Sequence, residues 1–151
     1  MNKIALVGKT LDELKAIVSE LGMPGFTAKQ ISEWLYKKRA FSVDEMSNIS
    51  IKNRQLLSEK YEVGRSLPIH TANSTDGTNK YLFKTEGGHS IETVYIPDEE
   101  RATLCVSSQV GCKMDCLFCM TGKQGFTAQL TATEILNQIL SIPEAETLTN
   151  L

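Results

Sequence analysis

Cys112-Lys113-Met114-Asp115-Cys116-Leu117-Phe118-Cys119 sets three thiols at a C-x3-C-x2-C spacing within eight residues. The count decides which chemistry this stretch suits. A cubane iron–sulfur cluster has four irons and is closed by four Cys thiolates, so three thiolates leave one iron open to a substrate. The fourth cysteine, Cys105, stands seven residues before Cys112, too far along the chain to join the compact motif. Other readings of the cysteines stay open on the residues alone. A structural zinc site takes four ligands in two separated pairs, and here one C-x2-C is accompanied only by His70 and His89. A disulfide framework needs an oxidising compartment, whereas Met1 to Gly8 is short, weakly basic and runs straight into a helical pattern, unlike a signal peptide. Coincidental free thiols fit poorly with four Cys in fifteen residues and none elsewhere.

At 151 residues, 41% hydrophobic and 23% charged, the chain can bury one ordinary core or two small ones. No apolar run approaches the ~18–20 residues of a membrane helix, and a cytoplasmic protein with no membrane partner is expected. The net charge of −2 hides a split. Residues 1–65 carry 11 Lys/Arg against 8 Asp/Glu, and residues 66–151 carry 5 against 10. Lys37-Lys38-Arg39, Lys52, Arg54, Lys60 and Arg65 could line an RNA phosphate backbone, but charge alone favours a solvated helix face.

Leu11, Leu14, Ile17, Val18 and Leu21 recur at helical spacing and predict a helix over 10–21 that Gly22 stops. Thr27-x-x-Gln30 reads as a capping box with Phe26 stapled onto Ile31, so the next helix is expected over 28–38 with Ile31, Trp34 and Leu35 inward. Ser42-x-x-Glu45, with Phe41 and Met46, starts a short helix, and Ser50 precedes another from Ile51 to about Tyr61. Trp34 reads as core more than as a base-stacking platform. From Leu67 the period changes to strands over 69–74, 80–85, 90–96 and 101–107, the first three forming a β-meander. Thr131-x-x-Glu134 caps a last helix with Ile135, Leu136, Ile139 and Leu140 as its buried stripe and Leu130 stapled onto Ile135; it ends before Pro143. The fourth strand, the cysteine loop and this helix make one β/α unit, and catalytic groups of β/α barrels sit where strands hand over to such loops.

Two stretches carry a resemblance: Ile91-Glu92-Thr93-Val94-Tyr95-Ile96-Pro97 and Arg101-Ala102-Thr103-Leu104-Cys105-Val106-Ser107-Ser108-Gln109-Val110-Gly111-Cys112, followed by the Cys motif. The motif resembles the radical S-adenosylmethionine (radical-SAM) superfamily, and the longer run resembles the RlmN family of adenine-C2 methyltransferases of ribosomal and transfer RNA, whose C8-methylating relative Cfr is close. The resemblance implies an α+β N-terminal region, made of a helical RNA-binding accessory module over 1–65 and a β-meander connector over 66–100. After these, residues 101–151 would be the first β/α unit of a truncated, partial (β/α)6 radical-SAM barrel. It implies a 4Fe-4S cluster on Cys112, Cys116 and Cys119, S-adenosyl-L-methionine (SAM) on the fourth iron, and Phe118 near the SAM adenine or packed over the cluster.

By the same resemblance a methyl group passes through a second, C-terminal cysteine to carbon 2 of adenine. Glu92 removes the C2 proton, and Cys105 resolves the RNA–enzyme tether by thiol–disulfide exchange. The residues alone also allow Glu92 to point to solvent from the opposite pleat to Ile91, Thr93 and Tyr95, and Cys105 to fill a buried strand position. The partners implied are large-subunit (23S) rRNA, tRNA and a reductant such as flavodoxin or ferredoxin, with the protein a monomer. The methyl-carrying cysteine and the family's Gly-Glu-Pro segment have no counterpart up to Leu151, so the chain is expected to be the N-terminal part of an enzyme and inactive alone. A radical-SAM enzyme of other specificity, C8 methylation included, and a zinc-holding RNA-binding module are the alternatives.

Overall fold

The computed structural model describes residues 2–114 and 116–151, and it divides into two compact units, Met1–Ser66 and Leu67–Leu151.

In the first unit a strand β1 (Ile4–Ala5) precedes the helices α1 (Leu11–Glu20), α2 (Thr27–Ser32) and α3 (Ile51–Lys60), and β2 (Tyr61–Glu62) follows them. β1 pairs in parallel with β2, and the Leu6 and Val7 amides extend the ladder to the Glu62 and Val63 carbonyls. The sequence pattern does not show this strand, because two residues are too few to display a period. Thr10 and Glu13 form a reciprocal capping box on α1, which buries Leu14, Ile17 and Val18 while Leu11 stays outside. Gly22 then takes φ +66, the left-handed conformation that ends a helix.

The capping box expected at Thr27 and Gln30 does not form. The turn before it already serves the first amides, with Thr27 N–H donating to Pro24 O and Ala28 N–H to Gly25 O, so Thr27 is buried inside the helix instead of capping it. Phe26, expected as a staple, is 68% exposed. After Ser32 the helix widens into a π-helical turn (Glu33–Lys37), and Arg39 leaves it at φ +53. Trp34 is half-buried, donating from Nε1 to Asn48 Oδ1 at 2.6 Å with the Lys38 ammonium 3.9 Å over its ring. The Ser42/Glu45 box is present on a single 3-10 turn (Val43–Glu45), and Ser50 caps α3. Met46 is fully buried, but Phe41 lies under the Arg65 guanidinium at 3.8 Å and stays exposed.

The second unit is built on a four-stranded antiparallel sheet in the order β3 (His70–Asn73), β4 (Asn79–Lys84), β5 (Ser90–Asp98), β6 (Arg101–Cys105). The meander therefore has four strands where three were expected. Only Glu99 and Glu100 separate β5 from β6, and so short a connection makes antiparallel neighbours. The other edge of β6 begins a crossover: Thr103 bridges in parallel to Asn150, with Leu104 N–H donating to Asn150 O at 3.0 Å. Between them lie a hairpin of β7 (Gln109–Gly111) and β8 (Phe126–Gln129), a one-turn helix α4 (Met120–Lys123) and the helix α5 (Ala132–Leu140). Strand, cysteine loop, helix and parallel bridge are thus one β/α crossover on the edge of an antiparallel sheet.

Tyr81, Phe83, Ile91, Leu104 and Ile142 form the core, with Leu130 and Ile139 packed against it. The Thr131/Glu134 box caps α5 as expected. Its buried face differs from the apolar stripe, however: Leu140 is buried, Ile135, Leu136 and Ile139 are only half-buried, and Asn137 and Gln138 are inside. Gln138 can be there because its amide is fully hydrogen-bonded.

Candidate functional site

The cysteine stretch is held at its base by the β7–β8 hairpin. Gly111 takes φ +75, and a Cβ there would lie 1.7 Å from Gly125 O, so only glycine lets the two strands approach. Cys112 N–H donates to that same Gly125 O at 3.0 Å, which fixes where the first thiol enters the loop. Cys119 N–H donates to Cys116 O at 3.1 Å, drawing the second and third cysteines into one turn.

All four cysteines are free thiols, with Cys112, Cys116 and Cys119 half-buried. The amides of Gly122 and then Thr121 aim at Cys119 and lower its pKa, favouring the thiolate that binds a soft metal. Among the described residues no three His, Cys, Asp or Glu side chains are gathered as ligands of one metal ion. Phe118 is 92% exposed and Leu117 89%, so Phe118 does not pack over the loop.

Glu92 and Cys105 share one face of the sheet. Cys105 pairs with Val94 and Val94 with Lys80, while the neighbours Thr93 and Leu104 point into the core, so Lys80, Glu92, Val94 and Cys105 all lie on the outer face. Glu92 and Cys105 are diagonal neighbours on adjacent strands, a separation of roughly 7–8 Å between Cα positions in sheet geometry. Cys105 is exposed, which overturns its reading as buried filler. Glu92 points away from Ile91 and Thr93, and its carboxylate lies 3.7 Å from the Lys80 ammonium.

The outward position still faces a recess. A cleft of about 220 Å³ is lined by Glu92, Ser90 and Leu82 from the sheet and by Ser107, Gly111 and Thr121 from the cysteine segment. The structure thus brings Glu92 beside the base of the cysteine loop and puts Cys105 on the same face.

Comparison with known proteins then bears on the family. Residues 4–63 match the family model described as the ribosomal RNA large subunit methyltransferase N-terminal domain. The chain is 65% identical over 149 residues to RlmN of Phocaeicola vulgatus, spanning 99% of this chain and 43% of that protein. Over its whole length the chain matches RlmN proteins. It corresponds to the N-terminal part of RlmN proteins and spans less than half the length of those it matches. The dual-specificity RNA methyltransferase RlmN of Saccharophagus degradans is 44% identical over 137 residues, 91% of this chain and 34% of that protein. A crystal structure of a radical SAM methyltransferase from Sphaerobacter thermophilus superposes with a TM-score of 0.83 at 38% identity, covering 91% of this chain and 40% of that one.

Two residues that tie this region together escaped the sequence reading. Ser107 donates from its hydroxyl to Glu92 O at 2.7 Å, and Gln138 holds the Ser107 backbone. A Gln in the middle of an apolar helical stripe was the available signal for the second. Nothing in the pattern marked the first.

Proposed function

We propose that the chain is the N-terminal part of a radical-SAM methyltransferase that methylates carbon 2 of an adenine in large-subunit rRNA and in tRNA. The observation that supports this best is the cleft itself, in which Glu92 of β5 meets the base of the C-x3-C-x2-C loop while Cys105 occupies the same sheet face.

The donor set fits the implied cofactor. Cys112, Cys116 and Cys119 would hold a 4Fe-4S cluster, their soft sulfurs half-buried on one short loop and Cys119 already biased to thiolate. When bound, the cluster supplies the electron that cleaves SAM reductively, drawn from a reductant of the flavodoxin or ferredoxin class. The chain's own residues then bind, orient and move protons. Phe118, exposed on the cysteine loop, would lie against the SAM adenine. Glu92 would receive the C2 proton of the substrate adenine, with the Lys80 ammonium beside it stabilising the carboxylate until the proton arrives. Cys105, exposed on the same face, would attack the sulfur of the downstream cysteine, forming a disulfide as the carbon–sulfur bond to RNA breaks and the freed carbon, taking up a proton, leaves as the methyl group of the RNA.

The parallel bridge from Thr103 to Asn150 supports a partial β/α barrel continuing from β6. In the first unit Lys38 lies over the Trp34 ring and Arg65 over the Phe41 ring, and these two with Lys37 and Arg39 would bind RNA phosphates. The protein would work in the cytoplasm as a monomer. No helix among the described residues is long and apolar enough to cross a membrane.

Anaerobic reconstitution with iron and sulfide tests the cofactor assignment. Broad absorption near ~400 nm is expected, retained in Cys105→Ala and lost in Cys116→Ala. The reverse pattern, or a colourless zinc protein, would overturn it. Labelled SAM and RNA supplied to the protein extended to the length of its relatives test the activity: 2-methyladenosine is expected, abolished in Glu92→Gln, while the 151-residue chain alone yields none.

A further inference from the structure

Gln138 is fully buried on α5, between Asn137, which is also buried, and Ile139, which packs against the apolar core. An amide has two acceptor and two donor positions, and here all four are used. Gln138 Oε1 accepts from Thr93 Oγ1 and from Ser107 N–H, both at 2.8 Å. Its Nε2 donates to Ser107 O at 2.7 Å and to Glu134 O at 3.3 Å. One side chain therefore takes both backbone groups of Ser107, as a neighbouring strand would, just past the end of β6 at Cys105.

The two residues it grips adjoin the proposed reaction groups. Thr93 follows Glu92 in β5, and Ser107 returns to Glu92 through its hydroxyl at 2.7 Å. Ser107 also lies in the segment that joins Cys105 to Cys112, midway between Cys105 and the start of β7 at Gln109. Ser107 and Glu92 both line the cleft, whereas Gln138 is not among the residues that line it.

We propose that Gln138 is a positioning residue which, through Thr93 and Ser107, fixes the Glu92 carboxylate, the Cys105 thiol and the mouth of the cysteine loop relative to one another. The inference rests on the reading of Glu92 and Cys105 as reaction residues, but its geometric content does not require cluster, SAM or RNA. An apolar residue of the same size would fill the same space. Only an amide, or a protonated carboxyl, both donates to Ser107 O and accepts from its N–H.

The test uses the full chain with Cys112, Cys116 and Cys119 replaced by Ser and with Glu92→Cys, so that nitroxides occupy positions 92 and 105. Dipolar broadening of the EPR spectrum reports the distance distribution between them. With Gln138 a single narrow distribution is expected. Gln138→Met should widen it at least twofold while the amides of Tyr81, Phe83 and Ile91 stay protected from exchange. Gln138→Glu, its carboxyl kept protonated by burial, should restore most of the narrow distribution. An unchanged width in a folded Gln138→Met protein would overturn the proposal. So would loss of amide protection across the sheet in both variants, which would make Gln138 a packing residue only. If Glu92→Gln left RNA methylation intact, the functional reading would fall while the spin-label result still stood on its own.

Discussion

In the first unit Leu6, Val7, Leu14, Val18, Ile31, Leu35, Met46, Leu57 and Val63 are sealed from solvent, and its exposed large apolar residues, Ile4, Leu11, Phe26, Phe41 and Ile51, are scattered. In the second unit Met114, Leu117, Phe118, Met120 and Phe126 stand exposed along one short stretch, while polar Thr93, Asn137, Gln138 and Ser141 lie buried. Ordinary burial explains the first arrangement. The second inverts it locally: a loop with its apolar side chains outward is not organised by a core, and contiguous exposed apolar residues mark a binding surface. Its shape comes instead from backbone geometry at Gly111 and from amides aimed at Cys119.

The contrast breaks most sharply at Gly111. Gly111→Ala combines left-handed φ strain with a Cβ driven into the Gly125 carbonyl, and we expect it to cost above roughly 3–4 kcal/mol and to abolish the β7–β8 pairing. Hydrogen exchange at the amides of residues 109–112 and 125–129 checks this, as does failure of iron–sulfur reconstitution. Native-like protection in Gly111→Ala would mean that the hairpin is not what shapes the loop.

A core deletion in the first unit should come next. Leu57 on α3 is fully buried, and Leu57→Ala leaves a cavity worth about 3 kcal/mol. Trp34, the single Trp, lies in this unit, so its fluorescence follows the denaturation midpoint directly. A shift below about 1 kcal/mol would show a core looser than its burial suggests.

How much of this was legible follows the same divide. The spacing of Leu14, Ile17 and Val18 and the Ser42/Glu45 and Thr131/Glu134 boxes were readable because each is a local signal with one physical solution. Thr27 misled because its turn carbonyls, which a pattern does not display, had already satisfied the amides that a cap would serve. β1 was hidden because its partner β2 lies at the far end of the unit. The cysteine spacing was legible in the residues themselves, whereas Glu92 and Cys105 were singled out only by the resemblance to the RlmN family. The sheet face they share depends on the β5–β6 register, and the Ser107–Gln138 clamp depends on contacts across the unit, which no local pattern encodes.

A polar strap in the second unit gives a smaller effect and a pH signature. The Tyr81 hydroxyl donates to Glu144 at 2.7 Å, and Asn79 Nδ2 donates to the same carboxylate at 2.8 Å. Tyr81→Phe should cost about 1.5 kcal/mol. Burial, and then the Glu144 carboxylate, push the Tyr81 pKa up. The raised folded value means the strap's contribution is whole below the unfolded pKa near ~10 and is lost as pH rises toward the folded one. The gap between wild type and Tyr81→Phe in urea midpoints should therefore narrow between about pH 9 and about pH 11. A gap that widened over that range would show that the hydroxyl is not held in its neutral form.

The smallest effects compare one device in the two units. Ser50 Oγ accepts a single amide, that of Asn53 at 3.3 Å, at the start of α3. At the start of α5, Thr131 Oγ1 accepts from Glu134 N–H, and Glu134 answers the Thr131 amide at 2.8 Å with Oε2 and the Glu86 amide at 3.1 Å with Oε1. Ser50→Ala and Thr131→Ala each remove one side-chain acceptor from a helix start, so each should cost about 1 kcal/mol, and glycine at either position only a few tenths. Glu134→Ala should exceed Thr131→Ala, because it strips the acceptor from two amides that lie on different elements, one of them in the β4–β5 turn. Trp34 fluorescence follows the Ser50 variant, and amide exchange at Glu86 and Thr131 follows the other two. Equal costs for Thr131→Ala and Glu134→Ala, with the Glu86 amide no faster to exchange, would reduce Glu134 to an ordinary cap and leave α5 held to the sheet by Gln138 and the apolar core.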